Sequence, residues 1–589
     1  MFDPRIYRAA LVPIVLAVAV AAFSLRSQPA PATTQLASDA FNGPRAFNGQ
    51  LGLTTLGQEY PLRRPGSVGD SALADLVAQK LAPGFELSTR RFDAQTIDGR
   101  RTLETVVGVR PGISAHRIVI LSHRDAAGSP DLPDLSGTAA LLELAHDVSG
   151  HAFSKTIELV STSGGSGGDA GAADWAAHTA SGPIDAVIVL GDLASDRNGP
   201  KPLVVPWGAG RGLAPSVLTR TLGTALAAET GQDAGGTPVL AQFARLAIPV
   251  TLGEQGAAVA RGLPAVLLSG SGERGGSESA PVSQTRLQGF GRTVLRALLA
   301  LDGVPSLPAD QVTRQLATAN KLIPEWAVAL VVGSLIFPVL VTGIDGLARA
   351  RRRGEPLGPW LLWVLACGLP FLLAVGLAQL LVPLGLLHAA PPSVVGAGTL
   401  PLDAGGAGLL AAEALILSVG LLAIRLVRSR VFERPPSGGA PAGLVVVVAC
   451  LITIAVWTVN PFAAALTIPM LHLALFALDP ELRLRRSFAL LLIAIGLVPV
   501  GLVALSYGLA LALGPLQLAW SALLLVASGA VGLWTLLAWS ALLGCVSAAV
   551  AAILSREAHP HEASEVTVRG PLGYAGPGSL GGTRSALRR

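Results

Sequence analysis

The chain has 589 residues, 51% hydrophobic and only 14% charged, with a mean hydropathy of +0.57 and a net charge of +5. That apolar content excludes an ordinary soluble protein. The exported region carries no basic patch interleaved with aromatic platforms, which excludes nucleic acid as a partner.

In chain order, residues 9–24, "AALVPIVLAVAVAAFS", form an apolar block behind Arg5 and Arg8. The block is long for a cleaved signal, and "SLRSQPA" is a poor cleavage site, so an uncleaved signal anchor over 1–25 is expected. Residues 26–320 have the mixed polarity of a globular domain and are long enough to bury their own core. Within them "TVVGVRPG" and "RIVILSH" read as strands and "SGTAALLELAHDV" as an amphipathic helix. "TIELVSTS" is a strand, "GAADWAAHTA" a helix and "IDAVIVLGDLA" a strand. "SVLTRTLGTALAAET", "LPAVLLSG" and "TRLQGFGRTVLRALLALD" continue as helix, strand and helix. Short Val/Ile/Leu runs alternating with helices predict an α/β fold, a mixed and mostly parallel sheet with helices on both faces. Ligands bind such sheets at the carboxyl ends of the strands. His123 and Asp125 stand at one such end and Asp192 at another, and Asp134 opens the helix beside them.

Residues 321–555 read as a helical membrane domain, since a span needs about 20 apolar residues. Candidate spans are 325–345, 359–386, 407–427, 442–459, 462–478, 487–513 and the long run 516–554, which holds one tilted helix or two short ones. Arginine clusters follow the first, third and fifth: Arg349 and Arg351 to Arg353, then Arg425, Arg428, Arg430 and Arg434, then Arg483, Arg485 and Arg486. Alternate connections, "LLHAAPPSVVGAGTLPLDAGG" and "TVNPF", carry no Lys or Arg. Basic loops face the cytoplasm. That places the globular domain outside a plasma membrane and the 556–589 tail, with Arg556, Arg569, Arg584, Arg588 and Arg589, inside. Arginine use and the abundance of Ala and Gly suggest a bacterial coding bias. Cys367, Cys450 and Cys545 all fall in apolar runs, so the exported domain has neither disulfides nor thiolate ligands. Of the few ionisable groups inside spans, His472 is expected to bond a neighbouring helix.

The stretch "VILSHRDAAGSPDLPDLSGTAALLELA" resembles the M28 family of zinc aminopeptidases: an apolar strand, His-x-Asp, then Asp-x-x-Ser-Gly opening a helix. "KTIELVSTSGGSGG", "AVIVLGDLAS" and "RGLPAVLLSGSGE" are similar to later strands of that family, and the resemblance covers roughly residues 75–300. It implies that His123 and Asp192 each bind a metal, that Asp134 bridges, and that Asp125 orients His123 from behind. The departures from the family are large. Its strand ends in a Glu-Glu pair, one general base and one ligand, where this chain reads Ser163-Gly164-Gly165-Ser166-Gly167. Its last His ligand has no counterpart in "SGERGGSESAPVSQ". What remains is at most one zinc held by His123, Asp134 and Asp192, or none, with Glu273 and Glu278 as possible substitute carboxylates. A positioned base contributes about 10²–10⁴-fold to such chemistry, so the loss near Gly165 and Ser166 is expected to be costly.

The whole layout resembles the GPI-transamidase subunit with a peptidase-like luminal domain, and membrane-bound M28 peptidases. The reading is a membrane protein that displays a non-catalytic peptidase-like domain binding a peptide or protein partner at the old cleft. Its rivals are a working single-zinc aminopeptidase and a membrane scaffold or transporter with a docking module.

Overall fold

The computed structural model describes residues 4–556, apart from 37, 130, 180–181, 198, 211, 237, 306–311, 313, 388, 392, 397–398 and 432–438. The expected tail from 557 on, with its four arginines, and Arg434 lie outside the described residues.

Seven strands form the main sheet, in the spatial order Glu86–Thr96, Gly99–Arg110, Lys155–Thr162, Ser114–His123, Ile184–Leu190, Ala265–Leu268, Val204–Val205. The sheet is mixed, but parallel pairing is confined to the four central neighbours, from Lys155–Thr162 to Ala265–Leu268. The flanking pairings are antiparallel. The period of two along a strand sends alternate residues to opposite faces. Ile118 and Ile120 enter a core with helices Val68–Leu81, Leu132–Ser149, Ser216–Thr230 and Gln284–Asp302. Val119 and Leu121 enter a second core with helices Ala170–His178, Val239–Ala247 and Gln255–Ala260. All four side chains are fully buried.

Among the described residues, seven helices are long and apolar enough to cross a membrane, or eight if one bent pair is a single span. They include Pro4–Phe23 and the 28-residue Glu325–Arg352. The bent pair, Arg486–Gly496 and Val498–Ala510, turns by 47°, where Pro499 withholds an amide from the preceding turn. The run 516–554 is two helices, Pro515–Ala527 and Leu533–Leu554. Gly529, at φ 76°, ends the first in a conformation that favours glycine. Only the second is long enough to span. His472 ties this bundle together, with Nδ1 2.6 Å from the Tyr7 hydroxyl and Nε2 3.0 Å from the Leu335 carbonyl.

The second core does not stop at the globular domain. Phe462, Leu466, Val503, Tyr507 and Leu511 of the apolar helices complete it. Asn460, in the "TVNPF" connection, caps the short helix Pro461–Ala465 through Oδ1. Its Nδ2 donates to the carbonyls of Leu246 (3.0 Å) and Ala247 (3.2 Å). The Tyr507 hydroxyl donates to the Ile248 carbonyl. Arg245 lies between the two units, its guanidinium 4.8 Å from the Trp207 ring and 4.4 Å from the Tyr507 ring. It forms a two-pronged ion pair with Glu273 at 2.9 and 2.5 Å.

Both ends of this pair are buried, and stranding one charge costs about 3–5 kcal/mol. Arg245→Met is therefore expected to lower stability by that amount, and the added change Glu273→Gln to recover most of it. Thermal unfolding of the purified full chain checks this, and additive losses would refute the coupling.

Candidate functional site

Four segments converge at the carboxyl ends of the central strands. His123 ends its strand, and the following arginine turns inward. Arg124 is fully buried, pairs with Asp70 at 2.8 Å, and donates to the carbonyls of Ser161 and Glu104. It pins a helix and two strands beneath the site. Helix Leu132–Ser149 opens on Asp131, whose Oδ1 accepts the Asp134 amide at 3.3 Å. Two carboxylates in the first turn suit the positive end of the helix dipole. The Ser-Gly step that follows has a packing reason. Ser136 Oγ accepts the Leu193 amide at 2.8 Å. A Cβ on Gly137 would lie 2.6 Å from Ser122 Oγ and 2.8 Å from the Leu190 carbonyl, so glycine lets the helix sit directly on the strand ends.

The structure brings His123, Asp131, Asp134, Asp192, Glu254, Glu273 and Glu278 around one cavity of about 660 Å³. Their roles differ from those expected. Asp125 does not meet the His123 ring. It is fully buried, and its carboxylate accepts the amides of Gly165 (3.0 Å) and Ser166 (3.1 Å). Asp192 is also consumed: Oδ1 accepts the amides of Ala194 and Ser195 at 3.0 and 2.9 Å, and Oδ2 accepts the Ser271 hydroxyl. Glu273 is held by Arg245, and Glu278 is exposed beside Gly128. His146, His151 and His178 lie on the surface.

The stretch 163–168 carries no carboxylate, and it has no room for one at its closest approach to His123. A Cβ on Gly165 would stand 2.4 Å from His123 Cβ and 2.5 Å from its Cγ. The carboxylate beside His123 comes instead from Glu254, just before helix Gln255–Ala260. Its Oε2 lies 3.3 Å from His123 Nδ1, and its Oε1 accepts the Thr162 hydroxyl at 2.5 Å. No local motif marks Glu254, which sits 131 residues from its partner. A second unforeseen acid, Asp169, is buried with Oδ1 unbonded among the described residues.

Burial alone would lower the His123 pKa. The hydrogen bond and charge of Glu254, with Asp134 and Asp125 adding to them, outweigh it and raise the value to about 10. These neighbours thus favour the protonated ring. Its Nε2 is buried and has no hydrogen-bond partner among the described residues. Asp134 is pushed well above the carboxylate range, first by burial and then by the charge of Asp131. Asp169 rises for the same first reason, with Glu254 second.

These residues do not fit a zinc ion. Among the described residues no group of three or more His, Cys, Asp or Glu could hold a metal. Structural and catalytic zinc sites use at least three protein ligands. In this arrangement Asp192 and Glu254 have both oxygens engaged.

No protein-family description and no curated protein matches the sequence. Solved structures resemble part of it. A glutaminyl cyclase of Porphyromonas gingivalis is 17% identical, with a TM-score of 0.36, over 44% of this chain and 98% of that one. A leucine aminopeptidase precursor from Bacteroides thetaiotaomicron is 16% identical, with a TM-score of 0.37, over 45% and 98%. A Zn-dependent exopeptidase from Parabacteroides distasonis is 15% identical, with a TM-score of 0.33, over 43% and 97%. In each case the likeness covers less than half of this chain.

Replacing Glu254 by Gln leaves burial as the largest influence on His123, so the ring should be neutral at pH 7. Nitrogen-15 spectra of histidine-labelled protein, with His123→Gln to assign the signal, check this. In the native chain the pair's contribution to stability is fully present below the ordinary pKa of 6.5 and is lost as pH rises through about 10. An unshifted His123 resonance in Glu254→Gln would refute the assignment.

Proposed function

We propose that this is a membrane-held binding protein whose globular domain lies outside the cytoplasmic membrane and captures the amino-terminal end of a peptide or protein without cleaving it. One observation carries the reading: His123 lines the cleft beside Glu254, and its buried Nε2 has no hydrogen-bond partner among the described residues. Turned toward the cavity, that N–H would be a donor for a peptide carbonyl. The carboxyl groups of Asp131 and Asp134, across the same cavity, are acceptors for a terminal ammonium. Together they match the two polar ends of a first peptide unit.

The same facts weigh against turnover. A general base must be unprotonated and within reach of the proton it takes. His123 carries its proton up to about pH 10. Asp125, Asp192, Glu254 and Glu273 are each fully engaged by amides, hydroxyls or a cation. The rival reading, a working zinc aminopeptidase, draws support only from the return of a carboxylate beside His123. The outside placement rests on arginines that flank alternate apolar helices.

Calorimetry on the full chain in lipid nanodiscs, with short peptides of free or acetylated amino terminus, tests this. Losing a charge-assisted hydrogen bond costs about 1.5–3 kcal/mol. Acetylation, or Asp134→Asn, should therefore weaken binding at least tenfold, and mass spectrometry should show intact peptide after prolonged incubation with zinc. Cleavage that a chelator abolishes would replace this reading with the enzymatic one. Equal binding of free and acetylated peptides would end it altogether.

A further inference from the structure

A second cavity, of about 1010 Å³, lies away from the cleft. It is at the upper end of the range for small-molecule sites, about 300–1,000 Å³. Its floor is a small three-stranded sheet in which Arg26–Ser27 pairs with Lys321–Leu322, and Lys321–Ile323 pairs with Leu316–Ala317. Its walls are helices Ser216–Thr230 and Val239–Ala247. The floor is the stem of the molecule. Arg26 follows the apolar helix that ends at Phe23 by three residues, and Ile323 precedes the next apolar helix, which begins at Glu325, by two. Those two helices pack side by side. The cavity therefore opens at the level where the chain enters the membrane.

Its lining divides by chemistry. Leu213, Val217, Val239 and Leu322 present apolar surface, Arg26 and Arg220 are basic, and the one acid, Asp233, stands 3.8 Å from Lys201. The Arg220 guanidinium donates to the Pro29 carbonyl, which ties the wall to the stem. Val239, in the lining itself, is 40% exposed, and its chain neighbour Leu240 and Phe23, three residues before Arg26, are 62% and 92% exposed. Such apolar groups are stranded in water and are at home in a bilayer interface. A water-soluble ligand would not call for this combination of apolar walls, basic mouth and apolar rim at the membrane surface.

We infer that this cavity is a binding site for one anionic phospholipid of the surrounding bilayer. An acyl chain lies against the apolar walls, and the phosphate is held at the mouth by Arg26 and Arg220. The site is independent of the peptide cleft and of whether that cleft binds anything.

Native mass spectrometry of the full chain in detergent, titrated with phosphatidylglycerol or phosphatidylcholine, tests it. The expected result is one phosphatidylglycerol adduct that survives activation stripping the others. Val217→Trp and Ala227→Trp, which fill the cavity from one wall, should abolish that adduct while elution profile and melting stay those of the native protein. Arg26→Ala should weaken it about fivefold, the value of one basic residue near an anionic surface, and leave phosphatidylcholine unaffected. Should either tryptophan variant misfold, Leu322→Trp on the opposite side takes its place in the decision. Adducts spread statistically and indifferent to all three fillings overturn the proposal. So do equal binding of the two lipids, or detergent held as an adventitious additive only.

Discussion

Arg245 is where this molecule becomes one object. A guanidinium stacks on aromatic faces and forks onto a carboxylate at the same time, and here it does both in a nearly dry setting. Trp207 belongs to the globular domain and Tyr507 to an apolar helix, while Glu273 belongs to the loop that lines the cleft. Arg245 also donates to the Val250 carbonyl, and Tyr507 holds the neighbouring Ile248 carbonyl. The segment so fastened, residues 248–254, ends in Glu254. The group that sets the charge of His123 is thus held by contacts to helices of the membrane type.

A second fastening acts on the far side of the cleft. Gln95 donates to the Ala389 carbonyl at 2.6 Å, and Val394 is buried in the core shared by both units. Val394, Val395, Gly396 and Thr399 then line the cleft itself. These residues connect two apolar helices, so the cavity has one wall from each unit.

The chemistry of the cleft turns on how its carboxylates are used. In a water-excluded pocket a carboxylate is either bonded, paired or protonated. Asp125 and Asp192 are bonded by backbone amides, Glu273 and Glu254 face cations, and Asp134 and Asp169 are pushed toward their neutral forms. Glu278, exposed in the same lining, is the exception among these acids. The glycines of 163–169 belong to the same arrangement, because a side chain at Gly165 would collide with His123.

Much of this was readable from local pattern. Alternating apolar runs marked the strands, and strand ends placed His123, Asp134 and Asp192 at one rim, because side-chain direction and strand polarity are properties of neighbouring residues. Apolar length likewise marked the membrane-type helices, and Pro499 and Gly529 show why the runs 487–513 and 516–554 break where they do. The partners of each charged group were not readable in that way. Glu254 meets His123, Arg245 meets Glu273, and Asn460 meets Leu246 across separations of 131, 28 and 214 residues. Such pairings are chosen by packing, which brings together segments that share no periodicity or motif. Composition and order determined a sheet-based domain joined to apolar helices; only the folded chain decided which carboxylate would stand beside His123 in its acidic cleft.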